Sequence, residues 1–163
     1  MFIIGIDVGD KKSGYFLTNK YLDFISFGKE DNLFIREYIK RLGANDTKLT
    51  VVIEDIILRG HAGKTLRDTV ENVGRFLQIC EEYKIEKHLY SPQKYRNVLC
   101  CGKHTDAKIR KVCIERFGED FLEEQGLAGR GKQNSVPSKD RGDIFSAIAL
   151  CLYHLEYKPK EIT

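Results

Sequence analysis

Four acidic residues occupy positions from which their carboxylates can act together. Asp7 interrupts an apolar run of strand length, and Glu54 lies in the C-terminal part of a second, β-branched run, residues 49–57. A carboxylate in a buried strand is costly unless its charge is compensated. Asp140 and Asp143 are three residues apart at the start of a predicted helix, which places them on one side of it. Asp143 also opens the apolar stripe of that helix, so we expect it to point toward the sheet.

If the two strands are neighbours, these four carboxylates converge at one edge of the sheet and repel one another unless divalent cations lie between them. Oxygen-only ligands favour hard ions, Mg²⁺ or, as a substitute, Mn²⁺. Two such ions about 3.5–4 Å apart stabilise the attacking and leaving oxygens of a phosphoryl displacement. Each acid also has a simpler structural explanation, as a strand end, a turn former or a helix cap. The sequence has no Ser/His/Asp triad pattern, cysteine nucleophile motif, Walker loop or dinucleotide-binding glycine motif that competes with this chemistry.

A basic segment, residues 91–111, is the second chemical feature. Its only acid is Asp106, and its candidate DNA contacts are Lys94, Arg96, Lys103, Lys108 and Lys111. Lys108 and Lys111 are three residues apart near the start of a predicted helix that Thr105 or Asp106 can cap. Lysines beside the free backbone N–H groups of a helix start suit phosphate binding, although an ordinary solvated helix face is the alternative. We expect Arg96 and Lys103 to lie in less regular chain and to affect binding only.

Apolar periodicity predicts the elements that must position these side chains. Residues 3–8 and 14–18 predict a hairpin, and residues 21–27 predict a third antiparallel strand. Two more strands are expected over residues 49–57 and 85–90. Helices are predicted between Asp31 and Gly43, from Leu66 to Tyr83, between Thr105 and Gly118, and from about Asp140 to Leu155. We therefore predict one α/β domain over residues 1–157, with a five-stranded mixed sheet (three antiparallel strands, then parallel ones) flanked by helices, and a polar tail over residues 158–163.

Composition limits the class of protein. A chain of 163 residues with 31% charged residues and a mean hydropathy of −0.37 suits a soluble globular domain. No apolar run approaches the ~20 residues of a membrane span, and we see no signal peptide. Five cysteines without a Cys-x-x-Cys pair argue against a disulfide framework or a zinc site and for a reducing, cytoplasmic compartment.

The ordered set of motifs resembles the RuvC-type Holliday junction resolvases of the RNase H-like superfamily. The motifs are Gly5-Ile6-Asp7-Val8-Gly9, Val52-Ile53-Glu54, residues 102–108, and Asp140-Arg141-Gly142-Asp143. The resemblance covers nearly the whole chain and implies an RNase H-like nuclease domain. It further implies a homodimer that cuts four-way DNA junctions symmetrically with Mg²⁺, at the nucleoid or at a site of viral DNA replication. It also implies that Lys108 serves DNA binding or the transition state.

Two positions, Val8 and Ile57, depart from the pattern of the cellular resolvases. Val8 replaces their usual proline, which is closer to viral and phage members or to the YqgF branch, whose members act in RNA processing. YqgF-like proteins lack the Val-Val-Ile-Glu strand and the Asp-x-x-Asp ending, so an RNA-processing function ranks second to junction resolution. A non-catalytic nucleic-acid-binding module is the other alternative. Ile57 stands roughly where cellular resolvases often carry an aromatic residue at the junction centre. His61 lies in a predicted loop, where a lone histidine is more often solvated than catalytic.

Junction resolution requires two symmetric cuts, and one compact domain of this size offers one metal centre. A closed two-fold dimer supplies the second. We expect the long helix from Leu66 to Tyr83 to contribute to the dimer, with Phe76 or Tyr83 outside its core stripe. That stripe comprises Leu66, Val70, Val73, Leu77 and Cys80.

Overall fold

Five strands form one mixed sheet at the centre of the fold. The computed structural model describes residues 1–45, 48–56, 63–102, 105–128 and 136–157. The strands are β1 (Phe2–Asp7), β2 (Lys12–Asn19), β3 (Ser26–Asp31), β4 (Leu49–Glu54) and β5 (Glu86–Tyr90). They lie in the order β3-β2-β1-β4-β5, with β2 antiparallel to both β1 and β3, and with β4 parallel to both β1 and β5. The predicted mixed α/β sheet is confirmed.

Helices cover both faces of this sheet. They are α1 (Asn32–Ala44), α2 (Lys64–Glu82), α3 (Pro92–Cys100), α4 (Asp106–Phe117), α5 (Glu119–Glu124) and α6 (Ser138–Tyr157). Successive strand side chains point to opposite faces, so Ile3 packs in a core with α3 to α6, whereas Ile4 packs in a second core with α1 and α2. None of the helices within the described ranges is long and apolar enough to cross a membrane.

Two glycines let α6 approach the sheet closely. A β-carbon at Gly5 would collide with the carbonyl oxygen of Ala147, and one at Gly14 would collide with the backbone of Asp143. Gly14 lies directly opposite Asp7 in the β1–β2 pairing. The missing side chain at Gly14 therefore brings the start of α6 next to the end of β1.

The third strand does not lie where the sequence predicts it, over residues 21–27. Strand β3 begins only at Ser26, because the side-chain oxygen of Asn19 accepts the backbone N–H of Tyr21 at 2.8 Å and turns the chain. Leu22 has a positive φ of 67°, which a regular strand does not allow. Phe24, within the predicted strand, packs its ring 4.7 Å from that of Phe16 and 5.0 Å from that of Phe121. The apolar pattern there reflects burial in an aromatic cluster.

The basic segment holds one helix more than the sequence predicts. Arg96 was expected in less regular chain but lies in the middle of α3. The Ser91 hydroxyl caps this helix by accepting the backbone N–H of Lys94 at 3.2 Å, and Pro92 occupies its first turn. A serine followed by proline is a helix-start signal that the sequence contains.

Of the two residues expected outside the core stripe of α2, Phe76 is completely buried, whereas Tyr83 is exposed. The core face of α2 instead comprises Asn72, Val73, Phe76, Ile79 and Cys80. Leu66, Val70 and Leu77, which were expected inside the core stripe, remain partly exposed. The helix is therefore rotated relative to the predicted stripe.

Several predicted features lie outside the described residues: Ile57, His61, Lys103 and the tail over residues 158–163.

Candidate active site

Asp7 and Glu54 lie side by side at the carboxyl edge of the sheet. Strands β1 and β4 are parallel neighbours, and Ile6 pairs with Ile53 in their register. The next residue of each strand is the predicted acid, so both acids leave the sheet at the same edge. The predicted convergence of these two positions follows directly from the strand pairing.

Asp143 joins them from α6. Its backbone packs over Gly14, the cross-strand partner of Asp7, and its charge raises the pKa of Asp7. Asp140 lies one turn earlier, in the first turn of the same helix. Of the four predicted acids, the structure brings Asp7, Glu54 and Asp143 into electrostatic contact, and Asp140 joins them through the Lys29 ammonium that it shares with Asp143.

The pKa of the Asp7 carboxyl group is strongly affected by its burial and by these neighbouring charges. Burial above all, followed by the charges of Glu54 and Asp143, raises the pKa of Asp7 from 3.8 to about 8. The nearby Arg96 and a hydrogen bond with Ser146 only partly offset this rise. Without an added cation, this environment therefore favours the protonated, uncharged form of Asp7.

Lys29, which the sequence analysis did not single out, neutralises the α6 side of the site. Its ammonium group lies 2.6 Å from Asp143 Oδ2 and 3.4 Å from Asp140 Oδ1. The hydrogen bond to Asp143 is the main cause that raises the pKa of Lys29. Lys29 pairs with Gly14 across β2 and β3, so Lys29, Gly14 and Asp7 form a line across the sheet.

Tyr95 and Arg96 of α3 neutralise the Glu54 side. The hydroxyl of Tyr95, which is fully buried, donates to Glu54 Oε2 at 2.5 Å. Arg96 donates from Nε to the Tyr95 oxygen at 2.9 Å, and its Nη2 lies 3.4 Å from Glu54 Oε2. Burial, followed by the Glu54 charge, raises the pKa of Tyr95, so this hydroxyl keeps its proton and remains a donor.

Arg96 also connects the site to α4. Its Nη1 lies 3.0 Å from Asp106 Oδ1 in the first turn of α4, and its Nη2 donates to Ser146 Oγ of α6 at 3.1 Å. The guanidinium of this predicted DNA contact therefore faces into the site. The positive charge of Arg96 is visible in the sequence. Nothing in a segment of several basic residues, however, indicates which side chain points into the protein.

The remaining predicted DNA contacts lie on the outer surface of α3 and α4. Lys94, Lys108 and Lys111 are all exposed. Lys108 is in the first turn of α4, where its backbone N–H donates to the capping hydroxyl of Thr105 at 3.3 Å. Lys111 lies 3.5 Å from Glu115 in a surface ion pair. Since Asp106 contacts the guanidinium that also contacts Glu54, the start of α4 lies beside the carboxylates.

The donor set fits a hard divalent cation, although the side chains are arranged around their basic partners. Within the described residues, no three His, Cys, Asp or Glu side chains stand close enough together to hold a metal ion as they are placed. Lys29 and Arg96 supply the positive charge that such an ion would bring. A largely buried carboxylate with a pKa raised to about 8 is compensated by a cation among oxygen ligands. These oxygen donors therefore suit Mg²⁺ or Mn²⁺ in their chemistry, with the Lys29 ammonium in the position that such an ion would share with Asp143.

Solved structures with this fold include RuvC of Thermus thermophilus. That structure matches with a TM-score of 0.63 at 14% sequence identity, over 94% of this chain and 93% of that chain. The T. thermophilus RuvC in complex with Holliday junction substrate matches with a TM-score of 0.65 at 16% identity, over 94% of this chain and 92% of that chain. No protein-family model and no curated protein matches the sequence. The likeness confirms the predicted RuvC resemblance as a shared RNase H-like fold.

Proposed function

We propose that this chain is a metal-dependent endonuclease that resolves four-way (Holliday) or other branched DNA junctions. The observation that carries the proposal is the convergence of Asp7, Glu54 and Asp143 at one edge of a sheet with the RuvC fold. One of the structures with this fold holds a Holliday junction substrate, which favours branched DNA as the substrate class. In this proposal the nuclease domain spans residues 1–157, and the reducing, cytoplasmic location remains a prediction.

Asp7, Glu54, Asp140 and Asp143 would hold the metal, Mg²⁺ with Mn²⁺ as a substitute. When bound, divalent ions stabilise the charge that develops on the attacking and leaving oxygens of a phosphodiester. The chain itself fixes the ligands: the Tyr95 hydroxyl and the Arg96 guanidinium hold Glu54 Oε2 in one orientation. Such outer partners typically change metal affinity or activity by about 10–100-fold when removed. We therefore assign Arg96 a positioning role within the site.

The exposed lysines of α3 and α4 would bind the DNA backbone. Lys108 has the most direct role, because its helix start lies beside the carboxylates through the contact between Asp106 and Arg96. An ammonium there stabilises charge on the phosphate near the scissile bond. Lys94 and Lys111 lie farther out and would contribute to affinity alone.

A cleavage panel tests the proposal. The protein is incubated with Mg²⁺ and with a four-way junction, a flap, a duplex, a single strand and an RNA substrate. We expect cleavage of the junction by the parent protein, and loss of cleavage with retained junction binding in Asp7→Asn and Glu54→Gln. Asp120→Asn is the matched control, because Asp120 is exposed on α5, outside the carboxylate cluster. Cleavage of RNA alone would favour the RNA-processing function, and junction binding without cleavage by the parent protein would favour a non-catalytic module.

We further propose a homodimer that pairs through α2. Leu66, Val70 and Leu77 are partly exposed, and Gly74 faces open space between Val70 and Leu77. These positions are three or four residues apart, so they form one stripe along the helix. An apolar stripe with a glycine at its centre suits close approach of a second copy of the same helix, and a two-fold axis would supply the second metal centre.

A further inference from the structure

A cavity lined by lysines lies on the side of the carboxylates away from α3 and α4. Its volume is about 430 Å³, and it is bounded by the turn between β1 and β2, by β3 and by the first turn of α6. Four lysines line it: Lys11, Lys12, Lys29 and Lys139. These four lysines come from three separate segments of the chain, so only the fold brings them together.

The charges in this cavity are unevenly compensated. Lys29 is paired with Asp140 and Asp143, which are part of the carboxylate cluster. Asp10 Oδ1 accepts the backbone N–H of Lys11 at 2.9 Å, so one oxygen of this carboxylate faces its own turn. Within the described part of the chain, the ammonium groups of Lys11, Lys12 and Lys139 form no ion pair, and all three side chains are exposed. Three ammonium groups are therefore available to an anionic ligand.

Buried side chains hold the turn that carries two of these lysines. Asn32 Nδ2 of α1 donates to the Gly9 carbonyl at 3.0 Å, and Asn72 Nδ2 of α2 donates to the Asp10 carbonyl at 2.7 Å. The Ser13 hydroxyl of β2 accepts the Gly9 N–H at 3.2 Å and donates to Asn32. Ser13, Asn32 and Asn72 are 0%, 5% and 7% exposed.

These hydrogen bonds come from side chains on β2, α1 and α2, and together they fix the backbone conformation of the turn. Buried amides and hydroxyls are costly unless they are bonded, and a fully bonded network specifies one conformation. Lys11 and Lys12 therefore project from a fixed backbone, which reduces the entropy lost when they bind a ligand.

The geometry points to a second phosphate-binding site in this cavity, for the backbone of the same DNA strand that is cut at the carboxylates. This inference rests on the proposed nuclease function and deepens it. The sheet order places the cavity on the β2–β3 side of Asp7. On the other side of Asp7, the contacts of Arg96 with Asp106 and Glu54 bring the start of α4, which carries Lys108, to the end of β4. Because β3 lies two strands from β1, the separation across the sheet is about 10 Å, which is within a few nucleotides of the scissile phosphate. The strand crosses the sheet edge and is held by lysines on both sides of the cut.

Salt-dependent binding tests the cavity without cleavage. A fluorescent four-way junction is titrated in EDTA with the parent protein, with Lys11→Ala/Lys12→Ala, with Lys139→Ala and with the control Lys20→Ala. Lys20 is also exposed but follows the opposite end of β2. We expect the double variant to bind the junction at least tenfold more weakly and to lose about two units of slope in a plot of log K against log salt concentration. Lys139→Ala should lose about one unit of this slope. Lys20→Ala should match the parent protein in affinity and slope. Parental affinity and slope in both cavity variants would overturn the inference.

A phosphate scan separates this inference from the proposed function. Single methylphosphonates, which lack the phosphate charge, are placed in turn along one junction strand. If the cavity holds a phosphate, a methylphosphonate at one DNA position weakens binding of the parent protein but does not weaken binding of the Lys11→Ala/Lys12→Ala variant further. We call this result coupling between a DNA position and a variant. A methylphosphonate at a different DNA position should show the same coupling to Lys108→Ala and Lys111→Ala. If no substrate is cleaved but this coupling is found, the cavity site stands and the nuclease function falls. If the junction is cleaved and no position couples to the double variant, the nuclease function stands and the cavity site falls.

Discussion

At the scale of single residues, Asp7 determines how the metal-free protein responds to pH. Its pKa is raised from 3.8 to about 8, so the folded protein binds this proton more tightly than the unfolded chain does. The contribution of Asp7 to stability is therefore full below about pH 4 and is lost as the pH rises to about 8.

We expect Asp7→Asn to remove the decrease in stability that Asp7 causes as the pH rises. In EDTA at about pH 8, the variant should exceed the parent protein in free energy of unfolding by roughly 1–3 kcal/mol, while the two should converge near about pH 4. Urea unfolding across this pH range measures the difference, with Asp120→Asn as the exposed control. Parallel pH profiles for Asp7→Asn and the parent would show that Asp7 does not hold the proton.

Lys29 gives a second prediction at this scale, because its ammonium occupies the positive position beside Asp140 and Asp143. We expect Lys29→Met to lower stability in EDTA, where the two acids lose their counter-charge. We also expect it to strengthen metal binding by roughly tenfold, or about 1.4 kcal/mol, because no ammonium has to leave. Calorimetric titration with Mn²⁺ measures the affinity, and Lys29→Arg retains the charge as the control. Equal Mn²⁺ affinity in the parent and Lys29→Met would show that the ammonium does not compete with the metal.

The acids of the site were more predictable than their partners. Asp7 and Glu54 interrupt apolar strands, a signal that a single sequence carries. Lys29 lies beyond the predicted end of the third strand, so its approach to Asp143 depends on a strand register that the pattern placed wrongly. Arg96 carries the same charge as its exposed neighbours, and only the packing of α3 turns it toward Glu54.

At the scale of secondary-structure elements, the contact between β2 and α6 controls where Asp143 lies. We expect Gly14→Ala to push the Asp143 backbone away from the sheet, to cost about 1–3 kcal/mol of stability and to lower junction cleavage about 100-fold. Gly142→Ala is the matched control, since a β-carbon there meets open space and alanine favours the helix. Thermal unfolding and single-turnover cleavage measure both variants. Full activity in Gly14→Ala would show that the site tolerates a displaced helix.

The elements that the sequence placed correctly are those with long regular patterns. The start of β4 at Leu49 and the span of α6 follow from uninterrupted apolar runs or stripes, whereas β4 ends at Glu54, before the predicted end at residue 57. Strand β3 and helix α3 were missed or misplaced for a different reason. In residues 21–25, Leu22 is buried and Phe24 enters an aromatic cluster, whereas Tyr21 and Ile25 are exposed, so the apolar pattern does not mark a strand. Helix α3 has too few apolar residues for its stripe to stand out from the basic segment.

At the scale of the whole molecule, the proposed dimer through α2 gives the next prediction. We expect Val70→Glu/Leu77→Glu to convert a dimer into a monomer in sedimentation at micromolar concentration, because two charges would be buried against their symmetry mates. Paired cuts in the junction should then become single nicks. Leu33→Glu is the control, as Leu33 is an apolar residue on α1 that is 61% exposed. A parent protein that sediments only as a monomer, with and without junction DNA, would exclude the dimer.

The close approach of α6 to the sheet also sets the order in which the protein can become active during synthesis. Strands β1 and β2 are joined by a short turn and can pair early, whereas Asp143, which packs over Gly14, lies 129 positions after it along the chain. A nascent chain that lacks residues 138–157 has Asp7 and Glu54 but no α6 to cover Ile3 and Phe16. Such a chain exposes the apolar face of the sheet that α6 covers in the folded protein, and it lacks Asp140 and Asp143, two of the four proposed metal ligands. In the proposed nuclease, the metal site would therefore be complete only after α6 has docked.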